Sequence, residues 1–425
     1  MTDNKFPAQS FKEAVLSPAF SEFKEHFYKE LMKINYAHTL MLIEGDVISS
    51  EDGRKIIRGL KEIEEEIDLE EISYTGDFED LFFYIENELE EKIGIDAAGR
   101  MHTGRSRNDI DHTMYKMKLK NKMISLLKLK AELISALIKK AEDNIDTLVV
   151  AYTHGQPAQP TTYAHYLSAF IELLLRDGER FLQSYSFADY SSLGAAAITT
   201  SGFNINRERT AELLGFANVQ ENSYGAIAAV DYLTDVYSSL KILMLNTGRF
   251  SQDLIFWSSF EIAHLKLGRE FIQISSIMPQ KRNPVALEHL RVMSSLAAGY
   301  CDNVINTTHN TPFTDMNDAE DAVQVVGFKA FEFAERVLKL MTKIIEGIEI
   351  DEEKVLANIK KSMVSITEFA DRLVRREGIS FREAHEIASE IVDYLSDNEN
   401  ISYQKFVEIY KNIIGDYPES KEEIL

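Results

Sequence analysis

Proline placement constrains the fold of this chain more than any other feature, because proline interrupts the interior of a helix. The 425 residues include only eight prolines, at positions 7, 18, 157, 160, 279, 284, 312 and 418. The tract from Ile110 to Ile145 has none, and its apolar residues recur at intervals of three, four and seven. That spacing lies on one face of an α-helix, so the tract predicts a single long amphipathic helix.

Four further tracts with helical spacing predict long helices, at residues 158–185, 225–267, 284–308 and 320–346. Amphipathic helices must pack against one another to remove their apolar faces from water. The middle of the chain is therefore predicted to be an elongated bundle of long helices. Apolar residues on several faces of these helices also suggest burial between subunits.

The predicted fold class is all-α, with three parts. An N-terminal helical domain covers residues 1–104, the central long-helix bundle covers 105–346, and a C-terminal helical domain covers 347–425. Patterns typical of β-strands are scarce, and residues 146–152 and 348–351 are the candidates for short extended segments.

Composition argues against several classes of function. The chain has 69 acidic and 46 basic residues and a formal net charge of −23, which disfavours binding to nucleic acid. Its apolar runs fall short of the ~20 residues of a membrane helix, and the polar residues 1–10 do not resemble a signal peptide. A lone Cys301 cannot form an internal disulfide and is expected to be buried. We expect a cytoplasmic protein without nucleic-acid or membrane partners.

A polar segment between two predicted helices has the residue types of an anion-binding site. Residues 275–284 read Ser-Ser-Ile-Met-Pro-Gln-Lys-Arg-Asn-Pro. Lys281 supplies a positive charge, Asn283 and loop N–H groups supply donors, and Pro284 suits the first position of the following helix. Any two or three of these residues are typical of an ordinary helix connection. The whole run favours a site for a carboxylate or an enolate.

Two shorter polar clusters precede the first two long helices. Residues 102–109 read His-Thr-Gly-Arg-Ser-Arg-Asn-Asp, in which Ser106 or Asn108 could simply cap the helix. Arg107 offers the other interpretation, because its guanidinium can bind a carboxylate in a bidentate manner. Residues 152–160 read Tyr-Thr-His-Gly-Gln-Pro-Ala-Gln-Pro. Their prolines indicate a turn, and a single His near a helix start is usually structural.

Taken together, the clusters resemble the signatures of the fumarase/aspartase superfamily. Residues 275–284 are similar to SSxMPxKxNP, and residues 153–160 are similar to THxQxAQP. The form MPQKxNP followed by Glu288 and Arg291, and the order HTxRSRND at residues 102–109, look most like the argininosuccinate lyase family. Further similar segments extend the resemblance over most of the chain.

The resemblance implies reversible β-elimination of L-argininosuccinate to L-arginine and fumarate. It implies that Ser275 removes a proton next to a carboxylate, and that His154, paired with Glu288, protonates the leaving nitrogen. Lys281 is expected to stabilise the charged intermediate. The substrate-binding residues that it implies are Ser106, Arg107, Asn108, Thr153, Gln156, Ser276 and Asn283. It also implies that no metal or organic cofactor is needed, that the substrate is a small molecule, and that a homotetramer shares active sites between chains.

The sequence departs from the family pattern at several positions. Ile274 stands where a Gly usually precedes the paired serines, which is expected to stiffen the loop. Phe82 replaces a His in the segment that resembles EDIHxxIE. The usual Asp, Ser and Arg after Asn222-Ser223 are replaced by Gly225, Ala228 and Val230, and residues 311–321 lack the usual Tyr and Gln. These departures concern recognition of the amino-acid part of the substrate more than the fumarate-forming chemistry.

Two alternatives remain open. Another fumarate-releasing lyase, chiefly adenylosuccinate lyase, shares features of residues 281–284 and 153–157, but Arg107 and Gln280 argue against it. A catalytically silent structural protein on the same scaffold is the second alternative. The joint presence of all four catalytic candidates argues against that loss of chemistry.

Overall fold

The structure is a computed structural model that describes residues 6–421 and 424. Within those residues the chain is mainly helical, and its strands form four two-stranded sheets. The all-α prediction is therefore confirmed. The described helices include none that is long and apolar enough to cross a lipid bilayer. Cys301 is buried, as expected.

The helices and strands have the following bounds, each kind in chain order. The α-helices are α1 (Gln9–Phe11), α2 (Ser17–His26), α3 (Tyr28–Glu44), α4 (Ser50–Glu66), α5 (Leu81–Ile93), α6 (Ile95–Gly99), α7 (Arg107–Glu142), α8 (Tyr163–Ala188), α9 (Arg207–Leu213), α10 (Gly225–Ala228), α11 (Asp231–Trp257), α12 (Val285–Thr307), α13 (Asp321–Gly347), α14 (Glu352–Ser362), α15 (Ile366–Glu377), α16 (Phe381–Asp397) and α17 (Tyr403–Ile414). The strands are β1 (Leu148–Thr153), β2 (Gln156–Thr162), β3 (Tyr190–Ser191), β4 (Asn218–Val219), β5 (Leu265–Lys266), β6 (Gln273–Ile274), β7 (Arg282–Asn283) and β8 (Glu349–Ile350). Strands β1–β2, β5–β8 and β6–β7 pair antiparallel, and β3–β4 pair parallel.

The five long helices α7, α8, α11, α12 and α13 confirm the interpretation of the proline-poor tracts. Helix α7 has 36 residues, which corresponds to about 54 Å at the usual rise per residue. Helices α12 and α13 begin and end within one residue of their predicted bounds. The two candidate extended segments are also strands, in β1 and β8.

Two predicted helix bounds were wrong. The helix expected from residue 158 begins at Tyr163, because residues 156–162 pair with β1 and so use their backbone hydrogen-bonding groups in a sheet. The helix expected over residues 225–267 is interrupted at Ala229, which has an extended backbone, and it ends at Trp257. Ala263 then has a φ of 47°, and the N–H of His264 donates to the carbonyl of Trp257 at 2.9 Å.

The contacts divide the chain into two compact units. The first contains Met1–Leu133, Leu173–Arg249 and His289–Leu340, and the second contains Ile134–Glu172, Phe250–Glu288 and Met341–Leu425. The division falls inside the five long helices, whereas the three domains predicted above have boundaries next to them. That three-domain organisation stays a prediction.

Aromatic packing in the first unit holds the N-terminal helices beside α7 and α13. The ring of Phe27, which is fully buried, lies 5.2 Å from the ring of Tyr115 and 5.6 Å from that of Phe328. Burying one such ring contributes about 2–3 kcal/mol. Because Tyr115 lies on α7, this core also fixes the helix whose first residues are the predicted substrate-binding turn.

In the second unit, aromatic residues support the β1–β2 hairpin. The ring of Tyr152 at the end of β1 lies 5.1 Å from Phe256 and 5.7 Å from His264. A separate core joins α15, α16 and α17 around Leu373, Ile387 and Phe406.

Candidate active site

The predicted proton donor His154 lies in the turn of the β1–β2 hairpin. Thr153 pairs with Gln156, so His154 and Gly155 are the two central residues of the turn. Both have positive φ angles, 53° and 73°, as a type I′ turn requires. All four residues are exposed. The hairpin therefore presents the imidazole and its two predicted substrate-binding neighbours, Thr153 and Gln156, on one exposed turn.

A left-handed backbone is uncommon for residues other than Gly and costs most of them roughly 1–2 kcal/mol, although His and Asn adopt it more often than the others. Backbone strain of this kind is often found at functional positions. Gly155 has no Cβ and adopts its positive φ without that cost. The sequence His-Gly thus explains the turn only in part, because Asn-Gly is the more favourable pair.

The predicted base Ser275 directly follows β6 in a second hairpin. Strands β6 and β7 pair through Gln273 with Asn283 and through Ile274 with Arg282, so residues 275–281 form the connecting loop. The Oγ of Ser275 accepts hydrogen bonds from the N–H groups of Met278, at 3.2 Å, and Ile277, at 3.4 Å. Two backbone dipoles are therefore directed at the oxygen that is expected to take up the proton.

The other residues of this segment lie on the same hairpin or next to it. Ser276 and Lys281 are exposed in the loop, and Asn283 is partly buried in β7. Helix α12 begins at Val285, so Pro284 precedes the first helical position instead of occupying it as predicted. Its carbonyl accepts from the N–H of Glu288 at 3.2 Å, which places Glu288 in the first turn with an exposed side chain.

In the first unit, a buried carboxylate shapes the predicted substrate-binding turn. Asp109 accepts from the N–H of Ser106 at 2.6 Å through one oxygen and from the N–H of Gly194 at 2.6 Å through the other. The Oγ of Ser106 donates to the side-chain oxygen of Asn108 at 2.8 Å. These bonds place Ser106, Arg107 and Asn108 side by side where α7 begins.

Arg107 is engaged by carboxylates of its own unit. Its guanidinium forms ion pairs with Asp80 and, at 3.4 Å, with Asp111. Burial raises the pKa of Asp111 well above its usual value, while Arg107 opposes that rise. Burial likewise raises the pKa of Asp80. A substrate carboxylate at Arg107 has to compete with these two acidic residues, and the predicted role of Arg107 stays a prediction.

Asn108 connects the turn to a buried polar chain. Its amide nitrogen donates to the carboxylate of Asp315, whose other oxygen lies 3.8 Å from Nε2 of His112. The second ring nitrogen of His112 lies 3.4 Å from the hydroxyl of Tyr232. The nearby ring of His112 is the main cause that lowers the pKa of Asp315, so this carboxylate favours its ionised form.

Residues of the segments that depart from the family pattern lie next to this polar chain. Ala228, Val230 and Thr311 line a small cavity next to His112. The hydroxyl of Tyr224 donates to the carbonyl of Phe313 at 3.1 Å. The cavity in the region that was expected to recognise the amino-acid part of the substrate is therefore lined by apolar side chains, three threonines and the carboxylate of Asp318.

Sequence reasoning missed several polar residues of this cluster. Asp109 ends the motif at residues 102–109 and Asp80 belongs to a segment noted for its resemblance, so motifs could have found both. Asp315 lies 207 positions from Asn108, in a segment without a recognisable motif. No local pattern in the sequence indicates that pairing.

The predicted site residues fall into three groups along the sequence. One contains Ser106, Arg107 and Asn108, and a second is the hairpin turn of residues 153–156. The hairpin of residues 273–283 and Glu288 form the third. Over residues 134–172 and 250–288 of the second unit, all of which the structure describes, no hydrogen bond or ion pair links His154 to Ser275 or Glu288. The pairing of His154 with Glu288 stays a prediction.

Comparisons with known proteins identify the class of enzyme to which the chain is similar. Residues 19–299 match the lyase family, and residues 363–416 match the argininosuccinate lyase C-terminal family. Among solved structures, an EDDS lyase in complex with formate has a TM-score of 0.85 at 27% identity, covering 98% of this chain and 83% of that one. A class II fumarase from Schistosoma mansoni has a TM-score of 0.74 at 16% identity, covering 93% and 90%, and it shares the fold. The chain therefore belongs to the lyase family, and these enzymes have the same long-helix fold.

Curated relatives narrow the class to one family. Argininosuccinate lyase 2 from Agrobacterium fabrum is 50% identical over 416 residues, which cover 97% of this chain and 82% of that protein. Argininosuccinate lyase from Methanocaldococcus jannaschii is 36% identical over 384 residues, covering 90% and 79%. The chain belongs to the argininosuccinate lyase family.

Proposed function

We propose that the protein catalyses reversible β-elimination of L-argininosuccinate to L-arginine and fumarate. Membership of the family supports the reaction, and the environment of Ser275 is the structural observation on which the proposal depends. In this reaction a base removes a proton from the carbon beside one carboxylate. The electrons of that C–H bond form the double bond of fumarate, and the C–N bond breaks with its electron pair going to nitrogen. An acid then protonates that nitrogen.

Ser275 is the proposed base. A serine hydroxyl is a weak acid, and Ser275 can take a proton from carbon only after its own proton has passed to solvent, so the resulting oxyanion needs stabilisation of its negative charge. The N–H groups of Ile277 and Met278 donate to Oγ and supply part of that stabilisation. Lys281 in the same loop supplies a positive charge near the developing carboxylate dianion.

His154 is the proposed acid that protonates the leaving nitrogen. Its exposed position on a tight turn lets the ring reach a substrate bound from outside the hairpin. Glu288, which is exposed in the first turn of α12, is its proposed partner and would favour the protonated ring. Ser106, Arg107, Asn108, Thr153, Gln156, Ser276 and Asn283 are the proposed substrate-binding residues.

We further propose a homotetramer in which different chains contribute to one active site. Exposed apolar residues on the long helices support this proposal, because such residues at helical spacing form patches that typically pack against a partner. Leu175 and Leu182 of α8 are 51% and 57% exposed, and Val292 and Leu296 of α12 are 43% and 44% exposed. The cytoplasmic location stays a prediction.

The test is the release of fumarate, followed by its absorbance, when the purified protein is incubated with argininosuccinate. Equimolar arginine should appear, and adenylosuccinate should give no comparable release. Ser275→Ala should lower kcat by about a hundredfold or more. Ser295→Ala is the matched control, because that exposed hydroxyl on α12 donates to its own helix at 3.1 Å. Near-normal turnover by Ser275→Ala, or no fumarate from wild type, would refute the proposal.

A further inference from the structure

Asp315 is a carboxylate fixed beside the proposed substrate-binding turn. It lies in the connection between α12 and α13, and 28% of its side chain is exposed. One of its oxygens accepts from the amide of Asn108, and the other lies 3.8 Å from Nε2 of His112. Asp315 is therefore held from two sides while part of it remains open to a ligand.

The neighbouring acidic residues differ from Asp315 in charge. Burial, together with Asp321 and Asp315, raises the pKa of Glu320 to about 7, and burial raises that of Asp111 well above its usual value. The nearby ring of His112 and the hydrogen bond from Asn108 lower the pKa of Asp315. The partly open carboxylate of Asp315 therefore favours its charged form, whereas burial disfavours the charge on Glu320 and Asp111.

This charge has opposite consequences for the two halves of an N-substituted succinate. A carboxylate repels the succinyl carboxylates and attracts a cationic group on the leaving amine. An amide nitrogen has two N–H groups, so Asn108 can donate one to Asp315 and the other to a substrate oxygen. The turn can therefore hold the succinyl half while Asp315 faces the amine half.

We infer that Asp315 is a specificity-determining residue that selects leaving amines with a positive charge, such as a guanidinium, over neutral or anionic ones. The inference rests on the proposed function, because it assigns the amine end of that substrate. Asp315 is the carboxylate that accepts a hydrogen bond from Asn108, so its charge lies next to the proposed substrate-binding turn.

A structural role would be that Asp315 merely positions Asn108. Asp315→Asn separates the two roles, because the new amide oxygen can still accept from Asn108 while the charge is lost. We expect the inhibition constant of arginine to rise about tenfold, and that of fumarate to change less than about twofold or to fall. Asp315→Glu, which keeps the charge, should retain most of the arginine affinity.

Glu332→Gln is the control, because it removes one negative charge from an exposed position on the helix that follows this connection. It should leave both inhibition constants within about twofold of wild type. Equal weakening of arginine and fumarate by Asp315→Asn would assign Asp315 a positioning role and overturn the inference, as would no effect on either. If wild type releases no fumarate from argininosuccinate, the proposed function itself fails, which is a distinct result.

Discussion

The protonation of Glu320 predicts how the stability of the folded protein depends on pH. The residue lies just before α13, half-buried beside the acidic cluster around Arg107. Burial is the main cause that raises its pKa to about 7, and Asp321 and Asp315 add to the rise. We predict that Glu320→Gln stabilises the protein above neutral pH and has little effect near pH 5.

The sign follows from proton binding. The folded state holds the proton of Glu320 up to about pH 7, whereas an unfolded chain releases it near the ordinary value of 4.5. Stability is therefore complete below pH 4.5 and is lost as the pH rises through about 7. At ~1.4 kcal/mol per pH unit the loss is roughly 3 kcal/mol, and solvent screening of a partly exposed carboxyl reduces it to about 1 kcal/mol.

The assay compares melting temperatures of wild type and Glu320→Gln at pH 5 and pH 8. The difference between variant and wild type should be about 1–2 °C larger at pH 8. Taking the difference between the two pH values cancels any packing effect of Gln that does not depend on pH. Glu332→Gln is the control, since that residue is exposed on α13 and pairs with Lys329 at 3.1 Å. An equal difference at both pH values, or a larger one at pH 5, would refute the reasoning.

Three further predictions concern the turn, the core and the assembly. His154→Asn should abolish turnover but keep the melting temperature, because Asn tolerates a left-handed backbone, whereas His154→Ala should also cost about 1 kcal/mol; equal stabilities would contradict this. Phe27→Ala should lower the free energy of unfolding in urea by about 3–5 kcal/mol, and a loss below about 1 kcal/mol would contradict its place in the core. The double substitution Leu175→Glu and Leu182→Glu should dissociate the oligomer, so that sedimentation detects smaller assemblies and activity is lost. An intact oligomer would argue against an interface on that face of α8.

The long helices could be predicted from sequence because each must bury one face along its whole length. Proline-poor tracts with helical spacing therefore gave α12 and α13 almost to the residue. The same rule failed after Trp257, where His264 and Leu265 are buried by strand pairing and packing instead of by a helix. A periodic pattern of apolar residues indicates which side chains are buried. It does not show whether a helix or a strand buries them.

The site shows a similar limit. Ser275, His154 and Ser106 were found because local motifs contain them. Three carboxylates determine the charge around Arg107 and Asn108, namely those of Asp80, Asp111 and Asp315. Sequence reasoning did not assign them a role, because their partners are brought to them by tertiary packing. The turn at His154 carries a local signal in the following Gly155, yet the positive φ of His154 itself is a property of the folded hairpin.

The central claim is that the group at Asn108 and the hairpin at Ser275 act in one lyase site supplied by different chains. Mixing inactive Asn108→Ala with inactive Ser275→Ala, followed by dissociation and reassembly, tests it most directly. If separate chains supply the two groups, random assembly restores roughly a quarter of the wild-type rate of fumarate release. If the mixture stays as inactive as its two components, the shared site is contradicted.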